Sequence, residues 1–214
     1  MSTGQASESS ISDQAYISMP ELLEHPVSVG ARAEVHRDST IGRFSFVNNR
    51  SIVYRNVTIG RFTSVARNCE IGVAIHPTAT LSTHSFQYSS AGFRKVEGYD
   101  DMPRFNHEEH PATSIGSDVW VGAQVIIKAG VRIGHGAVVG AHSTIIRDVP
   151  PFSVVVGSPG RIVRMRFKLD VIDSLIDTHW WDLQLHQIRE LPFHDVPRCL
   201  QLLAAIRAGS EKQK

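Results

Sequence analysis

Aliphatic side chains recur every six residues along most of this chain. Val29, Val35, Ile41, Val47, Val53, Ile59, Val65 and Ile71 form one series; Ile115, Val121, Ile127, Ile133, Val139 and Ile145 form a second. Roughly a quarter of the chain is Val, Ile or Leu, so fourteen matches in fourteen have a chance probability on the order of 10⁻⁹. A period of six fits neither an α-helix nor an alternating strand. It is the period of a parallel β-helix that stacks one hexapeptide on each flat side. The residue two places before each aliphatic one is compact: Val27, Ala33, Ser39, Ser45, Ser51, Val57, Thr63 and Cys69, then Thr113, Val119, Val125, Val131, Ala137 and Ser143. No charge falls at either offset. In a tight triangular cross-section the aliphatic side chain fills the interior and its corner neighbour must be small. Three hexads make one coil, so the two series predict about four and a half coils. Glycine often follows the aliphatic residue, as at Gly30, Gly42, Gly60, Gly72, Gly116, Gly122, Gly134 and Gly140, which predicts turns needing positive φ.

Outside the hexads the pattern changes. Residues 1–14 are Ser-rich and poor in apolar side chains, which predicts a disordered leader. Residues 15–26 predict a short helix, with Ser18 and Glu21 at capping-box spacing and Pro20 in the first turn. The β-helix is expected over 27–166, interrupted by a loop excursion at 74–112. A loop of that length inside a compact repeat protein is usually functional. C-terminal helices are expected over 167–209: one over Lys168–Thr178, and one with Asp195 as N-cap that stops at Gly209. They are placed to cap the open end of the solenoid.

Composition narrows the partners. There are 22 basic and 21 acidic side chains, so no nucleic-acid surface is expected. No apolar run reaches membrane-spanning length and no signal peptide is seen, so a cytoplasmic protein with no membrane partner is expected. Cys69 and Cys199 form no disulfide framework.

Four segments then carry a family resemblance: Ile115-Gly116-Ser117-Asp118-Val119-Trp120-Val121-Gly122, Val131-Arg132-Ile133-Gly134, Val139-Gly140-Ala141, and Pro150-Pro151 with Gly157-Ser158-Pro159. The chain resembles the hexapeptide-repeat acetyltransferases, and among them the xenobiotic acetyltransferase group with its virginiamycin and type-B chloramphenicol enzymes. The long loop and the Trp180-Trp181-Asp182 run resemble the same group. The resemblance implies a mainly β fold, a left-handed parallel β-helix, and acetyl-CoA as co-substrate without a metal. It also implies a homotrimer with active sites between subunits and a small-molecule acceptor.

Acetyl transfer to a hydroxyl needs a base, and a neutral imidazole suits working pH. His76 follows the last hexad of the first series, where the chain leaves the scaffold, and it aligns with the family's general base. Ser82-Thr83-His84-Ser85-Phe86 is similar to the run after that base, with His84 at an aromatic position that contacts acceptor. By the same resemblance Ala123 and Ala141 let the pantetheine arm approach the backbone. Arg164, with Arg147 and Arg161 near it, meets the coenzyme phosphates, which suit the guanidinium fork. Phe46, Asn48 and Tyr54 are candidate acceptor contacts, expected one or two coils below His76. Trp120 is expected to pack beside the cofactor groove, and His36, His135 and His142 to lie on the surface. His107-Glu108-Glu109-His110 lacks the spacing of a zinc motif. Cys69 points into an interior corner and is a poor nucleophile.

The antibiotic enzymes flank the base with Asn and a basic residue; Ile75 and Pro77 stand here, and the His-Pro pair is more like sugar-directed relatives. The leading expectation is therefore O-acetylation of an antibiotic-like or sugar acceptor. The alternative is N-acetylation of a nucleotide-linked amino sugar. A zinc hydratase on the same fold needs histidines five apart, and His135 and His142 are not.

Overall fold

The computed structural model describes residues 8–211. Short parallel strands stack on three faces. The first face runs Ser10–Ile11, Ser28–Val29, Phe46–Val47, Ser64–Val65, Trp120–Val121, Val138–Val139 and Ser153–Val156, and ends with the antiparallel Arg161–Met165. The second runs Tyr16–Ile17, Glu34–Val35, Ile52–Val53, Glu70–Val73, Ile126–Lys128 and Thr144–Ile145. The third holds Thr40–Ile41, Val57–Ile59, Thr113–Ile115 and Arg132–Ile133. This is the expected parallel β-helix, and it is left-handed.

The hexad residues form its core. All fourteen aliphatic residues are at most 2% exposed, and each corner residue two places earlier is at most 3% exposed. Burying each Val or Ile contributes about 1.5–3 kcal/mol. The corner hydroxyls also tie coil to coil. Ser45 Oγ donates to Gly60 O at 2.7 Å and accepts from Thr63 N at 2.8 Å. Thr63 Oγ1 repeats this one coil on, donating to Gly116 O at 2.8 Å. Cys69 takes the same position, with its thiol directed at Gly122 O. Burial pushes that thiol's pKa up, so it is a structural side chain.

The glycines serve a different purpose from the one expected. Of the eight that follow an aliphatic residue, Gly72 alone has positive φ. The left-handed turn residue lies three places after the aliphatic one and in the first series is not glycine: Arg32, Asp38, Phe44, Arg50, Asn56, Phe62 and Asn68 have φ of 55–62°, whereas Gly130 and Gly136 hold that position in the second. The glycines are there because adjacent coils nearly touch. A Cβ on Gly122 would sit 2.6 Å from Ala141 N, and one on Gly42 2.7 Å from Arg61 N.

The N-terminal expectations need correction. The leader expected over 1–14 lies outside the described residues up to residue 7, but Ser10–Ile11 pairs with Ser28–Val29. The helix expected over 15–26 is replaced by the strand Tyr16–Ile17, a single 3₁₀ turn at Pro20–Leu22 and a bridge from Leu23 to Ile41. The cause is the repeat itself. Ile11, Ile17 and Leu23 continue the six-residue series backwards from Val29, and ladder pairing with the next coil, with burial of Leu23, outweighs a local capping signal. The first face thus has seven parallel levels, more than four and a half coils supply.

The loop enters at one edge. Partners on adjacent coils are normally 18 residues apart; those across the loop, such as Arg61 and Ser117, are 56 apart. The excursion over 74–112 therefore leaves the second face after Val73 and rejoins the third at Thr113, without disturbing the stack.

Three helices follow the solenoid: α1 (Leu169–Thr178), α2 (Leu185–Ile188) and α3 (Val196–Glu211). Asp195 caps α3 as expected, accepting from Arg198 N at 3.0 Å, though the helix continues past Gly209. Only the start of this tail sits at the solenoid's end; the rest descends along the edge between the third and first faces. Arg166 meets Asp118 and Gly136 O, Trp180 packs on Phe62 at 5.1 Å, and Arg61 joins Glu24 to Asp182 with contacts of 2.6 Å. The left-handed turns at that edge project Phe62 and Phe152 outwards, which supplies apolar surface that the tail covers.

Candidate functional site

The three edges now have distinct contents. The third–first edge carries the tail. The second–third edge carries the loop and His76. The first–second edge carries Ala123 and Ala141 at equivalent places on successive coils, where His142 N donates to Ala123 O at 2.9 Å.

His76 is exposed at the base of the loop. Its Nδ1 lies 2.9 Å from Thr83 O and 2.9 Å from the Tyr88 hydroxyl. A carbonyl only accepts, so the Thr83 contact is a hydrogen bond when Nδ1 carries the proton. That leaves the Nε2 lone pair free. The sequence around His76 is held by backbone pairing: Ile75 N donates to Glu109 O at 2.9 Å, and His107 Nε2 bonds Ile75 O at 3.0 Å. His110 Nδ1 bonds Gly72 O at 3.0 Å. His107 and His110 therefore serve as pegs between loop and scaffold. Among the described residues no group of three or more His, Cys, Asp or Glu is placed to hold a metal ion. Nor is any helix long and apolar enough to cross a membrane.

His84 lies in the same loop, where its Nδ1 accepts from Phe86 N at 3.1 Å and its ring packs tilted against Phe86 and stacks on Phe93. Tyr54 reaches the loop base, stacked on His110 at 5.7 Å and hydrogen-bonded to Glu70. Phe46 and Asn48 do not join them. Phe46 faces outwards on the first face between Ser28 and Ser64, and Asn48 follows it on the first–second edge. Their spacing from His76 is not close to a whole number of coils, so they come to lie round the prism from it instead of beneath it.

Arg147 and Arg161 line one cleft of about 260 Å³ at the end of the solenoid, together with Ile145, Ile146, Gly160 and Ile162. Arg164 lies further along the edge strand, opposite Val154, with its guanidinium on Met165 O. Trp120 is 56% exposed on the first face, between Ser64 and Val138.

His135 is the residue that sequence reasoning misplaced most. It lies under the tail, its ring stacked on Trp181 at 4.4 Å and 8°. Its Nδ1 accepts from Ser117 N at 2.9 Å. Burial, then the neighbouring His179, push its pKa below the ordinary value. The tail's path over the solenoid has no signature in the hexads, so nothing in the repeat distinguished His135 from an outward residue. It also borders a groove of about 560 Å³ on the third face, with Thr58, Ser114, Arg132, Asp148 and Pro150. None of the candidate site residues lies there.

Residues 112–147 match the family described as "Bacterial transferase hexapeptide (six repeats)". The chain is similar to the chloramphenicol acetyltransferase of Escherichia coli, 46% identical over 82 residues, covering 38% of this chain and 39% of that protein. It thus spans less than half the length of that relative. A maltose O-acetyltransferase from Clostridium difficile 630 superposes with a TM-score of 0.54 at 25% identity, over 70% of this chain and 73% of that one. AntD, an N-acyltransferase from Bacillus cereus solved with dTDP and coenzyme A, gives a TM-score of 0.60 over 81% and 88%; at 20% identity it shows the shared fold. The solenoid is of the hexapeptide-repeat kind found in acetyltransferases.

Proposed function

We propose that this protein transfers acetyl from acetyl-CoA to a hydroxyl of a sugar or antibiotic-like acceptor, with His76 as general base. The observation that carries this reading is the Nδ1 contact to Thr83 O at an exposed loop base: with the proton on Nδ1, the Nε2 lone pair is free to act as base. As the acceptor oxygen attacks the thioester carbonyl, Nε2 takes its proton; collapse of the tetrahedral adduct expels the coenzyme thiolate, which His76 reprotonates. The coenzyme arm would run along the edge of Ala123 and Ala141 towards Arg147 and Arg161, whose guanidiniums suit its phosphates. Relatives and neighbours of this repeat family that transfer acyl groups support the chemistry, and Ile75-His76-Pro77 favours a sugar hydroxyl.

His76 and the alanines occupy different edges of one chain. A complete site therefore draws the loop from one protomer and the alanine edge from another, and a homotrimer provides this. We further place the enzyme in the cytoplasm, in keeping with its unpaired, buried cysteines.

The test is thiol release from acetyl-CoA across chloramphenicol, a streptogramin A, simple galactosides and a nucleotide-linked amino sugar. Turnover of one hydroxyl acceptor, falling about 10²–10⁴-fold in His76→Ala, is expected. Turnover of the amino sugar alone would shift the reading to N-acetylation, and absence of acetyl-CoA binding would remove it.

A further inference from the structure

The tail meets the solenoid through two separate apolar clusters. One joins Phe152 and Phe167 to Leu175 of α1 and Val196 of α3; the other joins Trp180 to Leu191, Cys199 and Leu203. Between them lies a cavity of about 150 Å³, lined by members of both. It shares no residue with the groove on the third face or with the His76 loop. Each wall is tied elsewhere. Phe152 packs on Phe167 at 5.9 Å, and Arg166 N donates to Phe152 O at 2.7 Å. Trp180 is held between Phe62 at 5.1 Å and Phe193 at 5.8 Å, and the Cys199 thiol donates to Pro192 O at 3.1 Å. Phe193, which also lines the cavity, is 57% exposed, so this wall reaches solvent.

One wall is polar. Asp118 and Arg166 line the cavity as an ion pair, Nη1 to Oδ2 at 3.2 Å, and Nη1 also donates to Gly136 O at 2.7 Å. The guanidinium lies over the Phe152 and Phe167 rings, 5.3 Å from each centroid. Among the described residues, Asp118 Oδ1 accepts no hydrogen bond. Burial raises the Asp118 pKa although the Arg166 charge and hydrogen bond oppose it, so this carboxylate is poorly solvated in the folded chain.

These features select an occupant. An apolar void of about 150 Å³ takes one benzene-sized ring. Aromatic walls favour a ring over an alkyl chain. Paired with Arg166, the carboxylate only accepts, so the ring must carry a donor to use Oδ1. We propose that the cavity binds a single-ring aromatic molecule with one hydroxyl, of the phenol class, its ring between the two clusters and its hydroxyl donating to Asp118. Solenoid and tail both supply walls, so the ligand binds only while the tail is docked and holds it there. The site goes beyond acetyl transfer and does not depend on it.

The probes are phenol and benzene, titrated calorimetrically into the full-length protein at neutral pH. Phenol is expected to bind saturably, one molecule per chain, and to raise the thermal midpoint as its concentration rises. A hydrogen bond to a charged group makes phenol at least about tenfold tighter than benzene, which lacks the donor. Bound phenol also shifts tryptophan emission, since Trp180 forms part of the wall. Val196→Phe, at the half-buried start of α3, fills the cavity and lowers phenol affinity at least about tenfold, with the far-ultraviolet circular dichroism unchanged. Absence of saturable phenol binding overturns the proposal, and so does equal binding of phenol and benzene. Undiminished binding in folded Val196→Phe places phenol elsewhere and overturns the site. If Val196→Phe does not fold, the comparison of phenol with benzene in the wild type decides alone. Turnover of any acceptor bears on none of these outcomes, so this proposal and the acetyltransferase reading stand or fall separately.

Discussion

The smallest side chains in this protein carry the tightest constraint. Gly122 sits where a Cβ would approach Ala141 N to 2.6 Å, and backbone cannot move aside without separating two coils. Arg50 sits in a left-handed turn at φ 57°, where its side chain is exposed and its N–H bonds Ala31 O whatever the residue. Gly122→Ala is therefore expected to cost about 1–3 kcal/mol, as overpacking does. Arg50→Gly should stay within about 1 kcal/mol of wild type, since relief of strain offsets the added chain entropy. Denaturant midpoints of the two variants check this. The opposite order would mean that the glycines do serve the turns. The hexad spacing of both sets is visible in the sequence. Which one bears the positive φ is not, because Asp, Asn, Arg and Phe at the turn carry no glycine signal.

The tail is held along its edge by a mixture of charge and aromatic stacking. Burial opposes ionisation of Glu24, but Arg61, the Arg43 N–H and both guanidinium charges outweigh it and lower its pKa. The half-buried His135 stacks on Trp181 and accepts from Ser117 N in its neutral form. Its lowered pKa means that the unfolded chain binds the proton more readily than the folded one. The stability from neutral His135 is thus fully present above the ordinary 6.5 and is lost as pH falls from there through the folded value. Asp182 partly opposes this shift, while His179 reinforces it. Unfolding followed by tryptophan fluorescence should show a lower denaturant midpoint at about pH 5.5 than at about pH 7.5. That difference should shrink in His135→Gln. An equal difference in both proteins would place the pH dependence on other histidines. The helices themselves were legible from capping and periodicity. Their course along an edge was not, because Phe62 and Phe152 look like surface residues until the tail covers them.

At the scale of the whole molecule, a site divided between edges has a measurable signature. His76→Ala removes the proposed base from the loop, and Ala141→Trp blocks the edge proposed for the coenzyme. Each variant alone should be inactive. When the two are unfolded and refolded together in equal amounts, about a quarter of the loop–edge junctions pair an intact loop with an intact edge, so about a quarter of wild-type activity should return. Recovery of none would mean that loop and edge must come from the same chain. The sequence named His76, Ala123 and Ala141 through resemblance, but it could not say that they face different ways.

What the sequence determined by itself is the solenoid. A six-residue alternation of aliphatic and small side chains specifies which atoms are inside at every level, and burial of so many repeats leaves no competing arrangement. Even the missed first coil obeyed it, since Ile11, Ile17 and Leu23 keep the series. It also placed the loop, because a break in the series can only lie outside the stack. Tertiary structure alone decided what surrounds the core. Thr83 O and Tyr88 meet His76, the tail covers His135, and Arg147 and Arg161 come to line one cleft, through the approach of segments with no shared period. Local pattern encodes burial, whereas the partners of an exposed polar group are set by where distant chain returns.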